Sequence, residues 1–288
     1  MEANPGPLRP VPDVWRILCS NVRGLAWNLG DPAVSLSQCD LLLCSETLVS
    51  DIVTCQSCWF PDSVVLSCCA GGKMPRARGM AAYVRNGYGA FRQHKFECGC
   101  CEMLVFSGFG VRLNLYVFSL CRNPGLDDRI FDCLLASMAA VLAEDIHAFF
   151  LYVGDLNVHH QWLDSTTKNR HGVPAFDFAT VSGCDQFVVG PTHARVGTLD
   201  LLMTDVPDLV RVAVVAPMSN SDYSSLSAVI SMAGAVPNLS VSRKVFPKHQ
   251  VNWNTVCGAI QDLPWRNIWL ADNPGDVLNK HLYLLVGR

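Results

Sequence analysis

Charge is scarce in this 288-residue sequence: Asp, Glu, Lys and Arg make up 16% of it, against roughly a quarter in a typical soluble domain. Neither sign dominates, because 22 Lys and Arg face 25 Asp and Glu for a net charge of −3. Any attraction to nucleic acid must therefore come from a local basic excess and not from the whole chain. Long apolar runs are missing as well. Half the residues are hydrophobic and the mean hydropathy is +0.23, yet nothing approaches the ~18 consecutive apolar residues of a membrane span. The longest candidate, residues 133–142, is closed off by Glu144 and Asp145. Residues 1–13 are proline-rich and have no basic start before an apolar core, which does not fit a secretory signal. The expectation is a soluble intracellular protein, nuclear or cytoplasmic, without a membrane partner. Internal repeats of 20–50 residues are also lacking.

Apolar residues and cysteine are plentiful. The hydrophobic half of the chain suffices for a large core and excludes global disorder. Fourteen cysteines invite a disulfide or zinc reading, but they are scattered from Cys19 to Cys257 in a chain well above 100 residues without a secretory signal, unlike a disulfide framework. Cys55 and Cys58 form one two-ligand pair, with Cys68, Cys69, Cys98, Cys100 and Cys101 beyond it. Adjacent cysteines on a strand point to opposite faces, so Cys68/Cys69 and Cys100/Cys101 make poor zinc knuckles. Free thiols are the expected state.

Compact apolar runs predict strands at 14–19, 40–44, 79–84, 111–120, 148–153, 187–189, 198–203, 209–215 and 224–230, while helical spacing of Ile130, Phe131, Leu134, Leu135, Met138, Val141 and Leu142 predicts a helix over 128–145. A shorter helix is expected at 174–181. Strands mixed with helices point to an α/β fold of sheets covered by helices. Three segments follow: a proline-rich lead at 1–13, one domain at 14–232, and a linker or helical appendage at 233–288, where Trp253, Trp265 and Trp269 do not fit the sheet pattern.

Several predicted strands end in a carboxylate or an amide. Asn21 follows the first, Glu46 the second, Asp155 and Asn157 the fifth, Asp200 sits within the strand at 198–203, and Asp222 precedes the last. Strand ends in α/β folds carry sites because a rigid sheet places the loops there. Acidic and amide oxygens suit a hard divalent cation, which can polarise a phosphoryl oxygen. A single Asp after a strand is, equally, an ordinary turn or cap residue.

The wording and order of the motifs sharpen this. Ser20-Asn21-Val22-Arg23-Gly24-Leu25, Ser45-Glu46-Thr47, Gly154-Asp155-Leu156-Asn157, Thr198-Leu199-Asp200 and Ser221-Asp222 occur in sequence. Across residues 14–232 the chain resembles the endonuclease/exonuclease/phosphatase superfamily. More narrowly it resembles the apurinic-like endonuclease domain of non-long-terminal-repeat (LINE-type) retrotransposons. The resemblance implies a four-layer α/β sandwich, two packed mixed sheets with helices outside, and Mg²⁺-dependent phosphodiester hydrolysis, with Mn²⁺ as the alternative ion. It places Glu46 on the metal with Asn21 and Asp222 beside it. Asp155 would orient or deprotonate the attacking water, Asn157 would donate to the phosphoryl oxygens, and Asp200 would orient a histidine. DNA is the implied partner, with a reverse transcriptase region outside this chain.

Two positions depart from the pattern. Tyr223 stands where the family has the histidine after Asp222, and Cys121 stands where it has a tyrosine before Arg122. Tyrosine, with a pKa near 10, is a neutral donor at pH 7 and cannot supply an imidazolium charge. A lost acid–base group costs about 10²–10⁴ in rate and a lost oxyanion donor about 10²–10³, without simple multiplication. The expectation is an endonuclease impaired by several-thousand-fold. A catalytically silent relic that binds nucleic acid is the alternative, and a phosphatase for small phosphoesters the third reading. His159, His160, His171 and His193 are read as loop residues. Between 63 and 96, Lys73, Arg76, Arg78, Arg85, Arg92 and Lys95 occur with no acidic residue, a stretch that suits a phosphate backbone or, equally, an ordinary solvated face. Arg122, Lys73, Arg76, Arg78 and Arg85 are the candidate DNA contacts.

Overall fold

The computed structural model describes residues 14–25, 38–49, 63–69, 79–86, 88–99, 101–108, 114–123, 129–158, 172–195, 197–218 and 221–232. The chain divides into two compact units, Met1–Asn238 and Leu239–Arg288, and every described residue belongs to the first. The lead at 1–13 and the segment 233–288 lie outside the described residues.

Two six-stranded mixed sheets form the body. The first has the order β11-β12-β1-β2-β4-β3 and the second β5-β6-β7-β8-β10-β9. The strands are β1 (Val14–Asn21), β2 (Leu41–Ser45), β3 (Ser63–Cys69), β4 (Met80–Arg85), β5 (Phe91–Arg92), β6 (Glu102–Ser107), β7 (Leu115–Cys121), β8 (Phe149–Asp155), β9 (Asp185–Gln186), β10 (Asp200–Thr204), β11 (Val210–Val215) and β12 (Ser225–Ser231). The helices are α1 (Arg129–Glu144), between β7 and β8, and α2 (Gly172–Ser182), between β8 and β9.

Period-two alternation builds the interior. Trp15, Ile17 and Cys19 of β1, Leu41 and Leu43 of β2, and Met80, Ala82 and Val84 of β4 meet Leu104, Phe106, Leu115, Val117, Leu151, Val153 and Leu202 of the second sheet in one core. The opposite face of the second sheet, through Met103, Val105, Phe118, Phe150, Tyr152 and Met203, packs under Ile130, Phe131, Leu134, Met138 and Val141 of α1 and Phe178 of α2. Full burial of each such side chain contributes about 1.5–3 kcal/mol. A glycine ends α2: Gly183 has φ +67°, and Gly183 and Cys184 donate to the carbonyls of Thr180 and Ala179, which releases the chain into β9.

The α/β sandwich of two face-to-face sheets is therefore as expected, with differences at particular elements. β3, β5 and β6 are additional to the sequence expectation. Met103–Phe106 is a run of four buried residues, so β6 is covered on both faces and shows no alternation to detect. The strand expected at 187–189 is displaced to β9. Cys19, Cys39, Cys44, Cys101, Cys121 and Cys184 are buried free thiols; the Cys98 and Cys101 sulfurs lie 3.9 Å apart, and Cys55, Cys58 and Cys100 fall outside the described residues. No helix among the described residues is long and apolar enough to cross a membrane.

Candidate functional site

Each sheet contributes one parallel pair, β1–β2 and β7–β8. Parallel neighbours release their carboxyl ends on the same edge, and antiparallel partners begin there. Asn21 pairs with Ser45 at the ends of β1 and β2, so Asn21 and Glu46 leave the first sheet together. In the second sheet one row runs Cys121, Asp155, Asp200. β12 runs antiparallel to β1, which brings Asp222 and Tyr223, just ahead of it, to the same edge. Ser221 Oγ donates to the Asn21 carbonyl at 2.7 Å, and Ser225 Oγ lies 2.9 Å from Ser20 Oγ.

The two sheets meet through Asn21 and Asp155, since Asn21 Nδ2 donates to Asp155 Oδ2 at 3.3 Å. The Asn157 backbone N–H donates to Asp155 Oδ1 at 3.1 Å, and Asn157 Nδ2 donates to the Arg122 carbonyl at 2.8 Å. Gly154 makes this approach of β7 and β8 possible: its φ is +141°, and a Cβ there would sit 1.9 Å from the Leu120 carbonyl oxygen. Only glycine fits. Strain accumulates at the same edge, because Arg23, Glu46 and Asn157 all have positive φ, between 43° and 52°, a region that residues other than glycine rarely adopt.

The acids are buried and crowded. Burial raises the pKa of Asp155 well above the usual carboxylate range; Asp200 and Glu46 raise it further, against the Asn157 and Asn21 hydrogen bonds. Asp200 is pushed up to about 7, chiefly by burial, with the Thr192 hydroxyl pulling it down and Glu46 adding to the rise. Its Oδ2 is buried without a hydrogen-bond partner. Tyr223 is held well above the ordinary tyrosine range by burial and by Asp155, Glu46, Asp200 and Asp222, so it is a neutral phenol at the edge of the acid cluster. Burial likewise raises the Cys121 thiol, with Asp155 next.

Asp222 has other company. Arg23 donates from NH1 to Asp222 Oδ1 at 2.7 Å, and His193 Nε2 lies 3.3 Å from Oδ2. Burial works against the ionised form of Asp222, but Arg23 and His193 outweigh it and hold its pKa below the usual value. His193 accepts the Arg195 N–H on Nδ1 at 3.1 Å and meets the Tyr223 ring edge-on, with centroids 4.6 Å apart. Bridges from His193 to Gly197 and to Tyr223 anchor its loop. In sequence His193 reads as a loop residue, because thirty positions of chain separate it from Tyr223 and no motif links them. Arg23 lies inside the Ser20–Leu25 motif, which by itself assigns it no role.

Three expectations change. Arg122 is fully buried, with NH1 turned to the carbonyls of Leu156 and Asn157 at 3.4 and 3.5 Å, so it braces the Asp155 loop from behind and presents nothing to DNA. Arg85 donates to the Cys39 carbonyl at 2.8 Å and faces the buried Asp40 at 3.6 Å. Arg92 pairs with Glu97 and Lys95 with Glu144, so acids from outside the basic stretch engage its described members. Lys73, Arg76, Arg78, His159, His160 and His171 lie outside the described residues. Cys121 belongs to the inter-sheet core and not to an open pocket. Among the described residues no three His, Cys, Asp or Glu side chains stand close enough together to hold an ion.

Comparison with known proteins adds the fold. The structure matches the endonuclease domain of TRAS1, a telomere-specific non-LTR retrotransposon, at a TM-score of 0.60 and 15% identity, over 77% of this chain and 100% of that one. The chain has the endonuclease/exonuclease/phosphatase fold. An AP endonuclease from Leishmania major matches at 0.59 and 14% identity, over 76% and 88% of the two chains. A mannosyl-6-phosphatase from Bacteroides thetaiotaomicron matches at 0.52 and 10% identity, over 75% and 99%. No protein-family model matches the sequence, and no curated protein sequence does. The shared fold thus carries nucleases and a sugar phosphatase alike, and function has to be argued from the site.

Proposed function

We propose that this chain is a divalent-metal-dependent phosphodiester hydrolase of the retrotransposon endonuclease type, which nicks DNA so that a reverse transcriptase region outside the chain can prime from the break. The observation that carries the reading is the edge where Asn21, Glu46, Asp155, Asn157 and Asp200 meet, with two carboxylates buried side by side. Carboxylates so placed repel one another unless a proton or a cation intervenes. The donor set, all oxygen and amide, suits Mg²⁺ or Mn²⁺, and the unpartnered Oδ2 of Asp200 marks negative charge that the protein itself does not balance.

Glu46 and Asn21 would hold the ion, which when bound supplies a Lewis acid for a phosphoryl oxygen. The chain's own residues do the rest. Asp155, with its raised pKa, orients and deprotonates the attacking water better than an ordinary surface carboxylate would. Asn157, whose side-chain amide is anchored on the Arg122 carbonyl, lies beside Asp155 where it can donate to a phosphoryl oxygen. Tyr223 donates a neutral hydroxyl where a histidine would bring charge, and at position 223 Asp200 finds a phenol and not an imidazole to orient. Turnover is therefore impaired, on the order of a thousandfold or more.

Nicking of supercoiled plasmid in Mg²⁺ tests this. Tyr223→His should raise the rate by at least tenfold, and Asp155→Ala should abolish it. The second reading, a silent relic that binds nucleic acid, is favoured by the orphaned Asp200 oxygen. It predicts duplex binding with no nicking in either the native chain or Tyr223→His. Efficient nicking by the native chain that is indifferent to Tyr223→His would refute the impairment.

A further inference from the structure

We infer that Arg23 is the phosphate-binding cation of this site, and that Asp222, braced by His193, is the bracket that holds its guanidinium at the rim. The inference rests on the phosphodiesterase reading and names a contact which that reading leaves empty. The acid cluster presents Glu46, Asp155 and Asp200 to an anionic substrate, and Tyr223 brings no charge to offset them. A fixed positive group at the entrance is what would make the approach of a phosphodiester favourable.

Arg23 is built for that place. Its backbone N–H donates to Asn21 Oδ1 at 3.3 Å. The next two residues lock the other side, Gly24 N–H on the Glu46 carbonyl at 2.7 Å and Leu25 N–H on the Thr47 carbonyl at 2.8 Å. The strap from Asn21 to Leu25 is thereby stitched to the side-chain amide of Asn21 and to the backbone on either side of the Glu46 peptide. At its crest Arg23 adopts φ +43°, a conformation unfavourable for a residue with a Cβ and kept only where the surroundings impose it. Its side chain then spans 199 positions of sequence to reach Asp222.

The ion pair is half open, with Arg23 49% and Asp222 36% exposed. A pair so exposed contributes little to stability, so folding alone gives no reason for the strained strap. One NH1 hydrogen goes to Asp222. Among the described residues the rest of the fork has no protein partner, and a guanidinium fork matches two phosphate oxygens. The far oxygen of Asp222 is met by His193, whose Nδ1 accepts a backbone N–H, an arrangement that leaves Nε2–H to donate to the carboxylate. Asp222 is thus gripped on both oxygens and keeps Arg23 from swinging into solvent. Its role moves from the metal, where the sequence resemblance put it, to the guanidinium.

The test uses the full chain and a fluorescein-labelled 20-base-pair duplex in EDTA, followed by anisotropy across a salt series, with thermal melts as the folding control. Arg23→Gln should weaken binding by about ten- to a hundredfold, the worth of a charged hydrogen-bonded contact, and should lower the salt slope by about one. Arg23→Lys should restore the slope but only part of the affinity. Unchanged affinity and slope in Arg23→Gln, or no duplex binding by the native chain, would overturn the proposal. Asp222→Asn should weaken duplex binding severalfold while leaving calorimetric Mn²⁺ affinity unchanged; a tenfold loss of Mn²⁺ affinity would return Asp222 to the metal and overturn the bracket. Failure of the phosphodiesterase reading shows separately, as no nicking by the native chain or Tyr223→His in Mg²⁺ while the Arg23 effect on binding persists.

Discussion

Replacing Asp200 with asparagine should make the protein more stable, and more so as the pH rises. Asp200 is 3% exposed, pairs in register with Asp155, and leaves Oδ2 without a hydrogen-bond partner. A carboxyl at about 7 in the folded chain against 3.8 in the unfolded one holds its proton more tightly when folded. Its contribution is therefore neutral below pH 4, turns unfavourable as pH climbs from 4 to 7, and levels off above 7. Converted through the linkage relation, the cost is on the order of 1–2 kcal/mol at pH 5 and a few kcal/mol at pH 8. Asparagine keeps the shape and cannot ionise, and it removes a repelling neighbour from Asp155. Urea unfolding in EDTA, at pH 5 and pH 8, reads the effect directly. Asp200→Asn should gain about 2–3 kcal/mol more over the native chain at pH 8 than at pH 5, with a rise in melting temperature of about 10 °C at the higher pH. An Asp200→Asn chain that is less stable than the native one at pH 8, or that shows the same pH slope, would mean that the fold balances the Asp200 carboxylate and would refute the predicted gain.

Gly154→Ala should unfold the chain or leave it insoluble, because the new methyl meets the Leu120 carbonyl at 1.9 Å and φ is unfavourable as well; a soluble protein with a native-like melt would contradict the close approach. Arg122→Met should cost at least 3 kcal/mol in urea unfolding, since it removes the buried brace of the Leu156 and Asn157 carbonyls, while the salt slope of duplex binding stays unchanged. Cys121→Tyr, which restores the tyrosine of the resembling family, should lower stability by about 1–3 kcal/mol through overpacking of the inter-sheet core and add no nicking activity, as measured by melts and plasmid assays together. His193→Ala should loosen duplex binding less than Arg23→Gln does, and an effect larger than that of Arg23→Gln would make histidine the contact and arginine the bystander.

What the sequence showed of this site is what a sheet edge encodes locally. Asn21, Glu46 and Asp155 stand at or just beyond the ends of parallel strands, and the apolar run before each is visible in the chain, so strand and terminal polar residue could be read together. β3, β5 and β6 were not visible. β6 is covered on both faces and lacks alternation, and β5 is two residues long. The rim was illegible for a different reason. Arg23, His193 and Asp222 come from three strand connections, and what joins them is the antiparallel return of β12 along β1 together with the anchoring of the His193 loop to Tyr223 and Gly197. No spacing in the chain records a pairing across 199 residues. The same limit applies to charge. A stretch with six bases and no acid suits a phosphate backbone or a solvated face equally in sequence; among its described members, folding brings Asp40 to Arg85 and Glu144 to Lys95, and Glu97, just past the stretch, to Arg92. Local excess of one sign is thus no measure of available charge. Among the described residues of this edge, Arg23 combines a strained backbone, a half-exposed side chain and a counter-ion itself held from the far side, and the proposed phosphate contact rests on that combination.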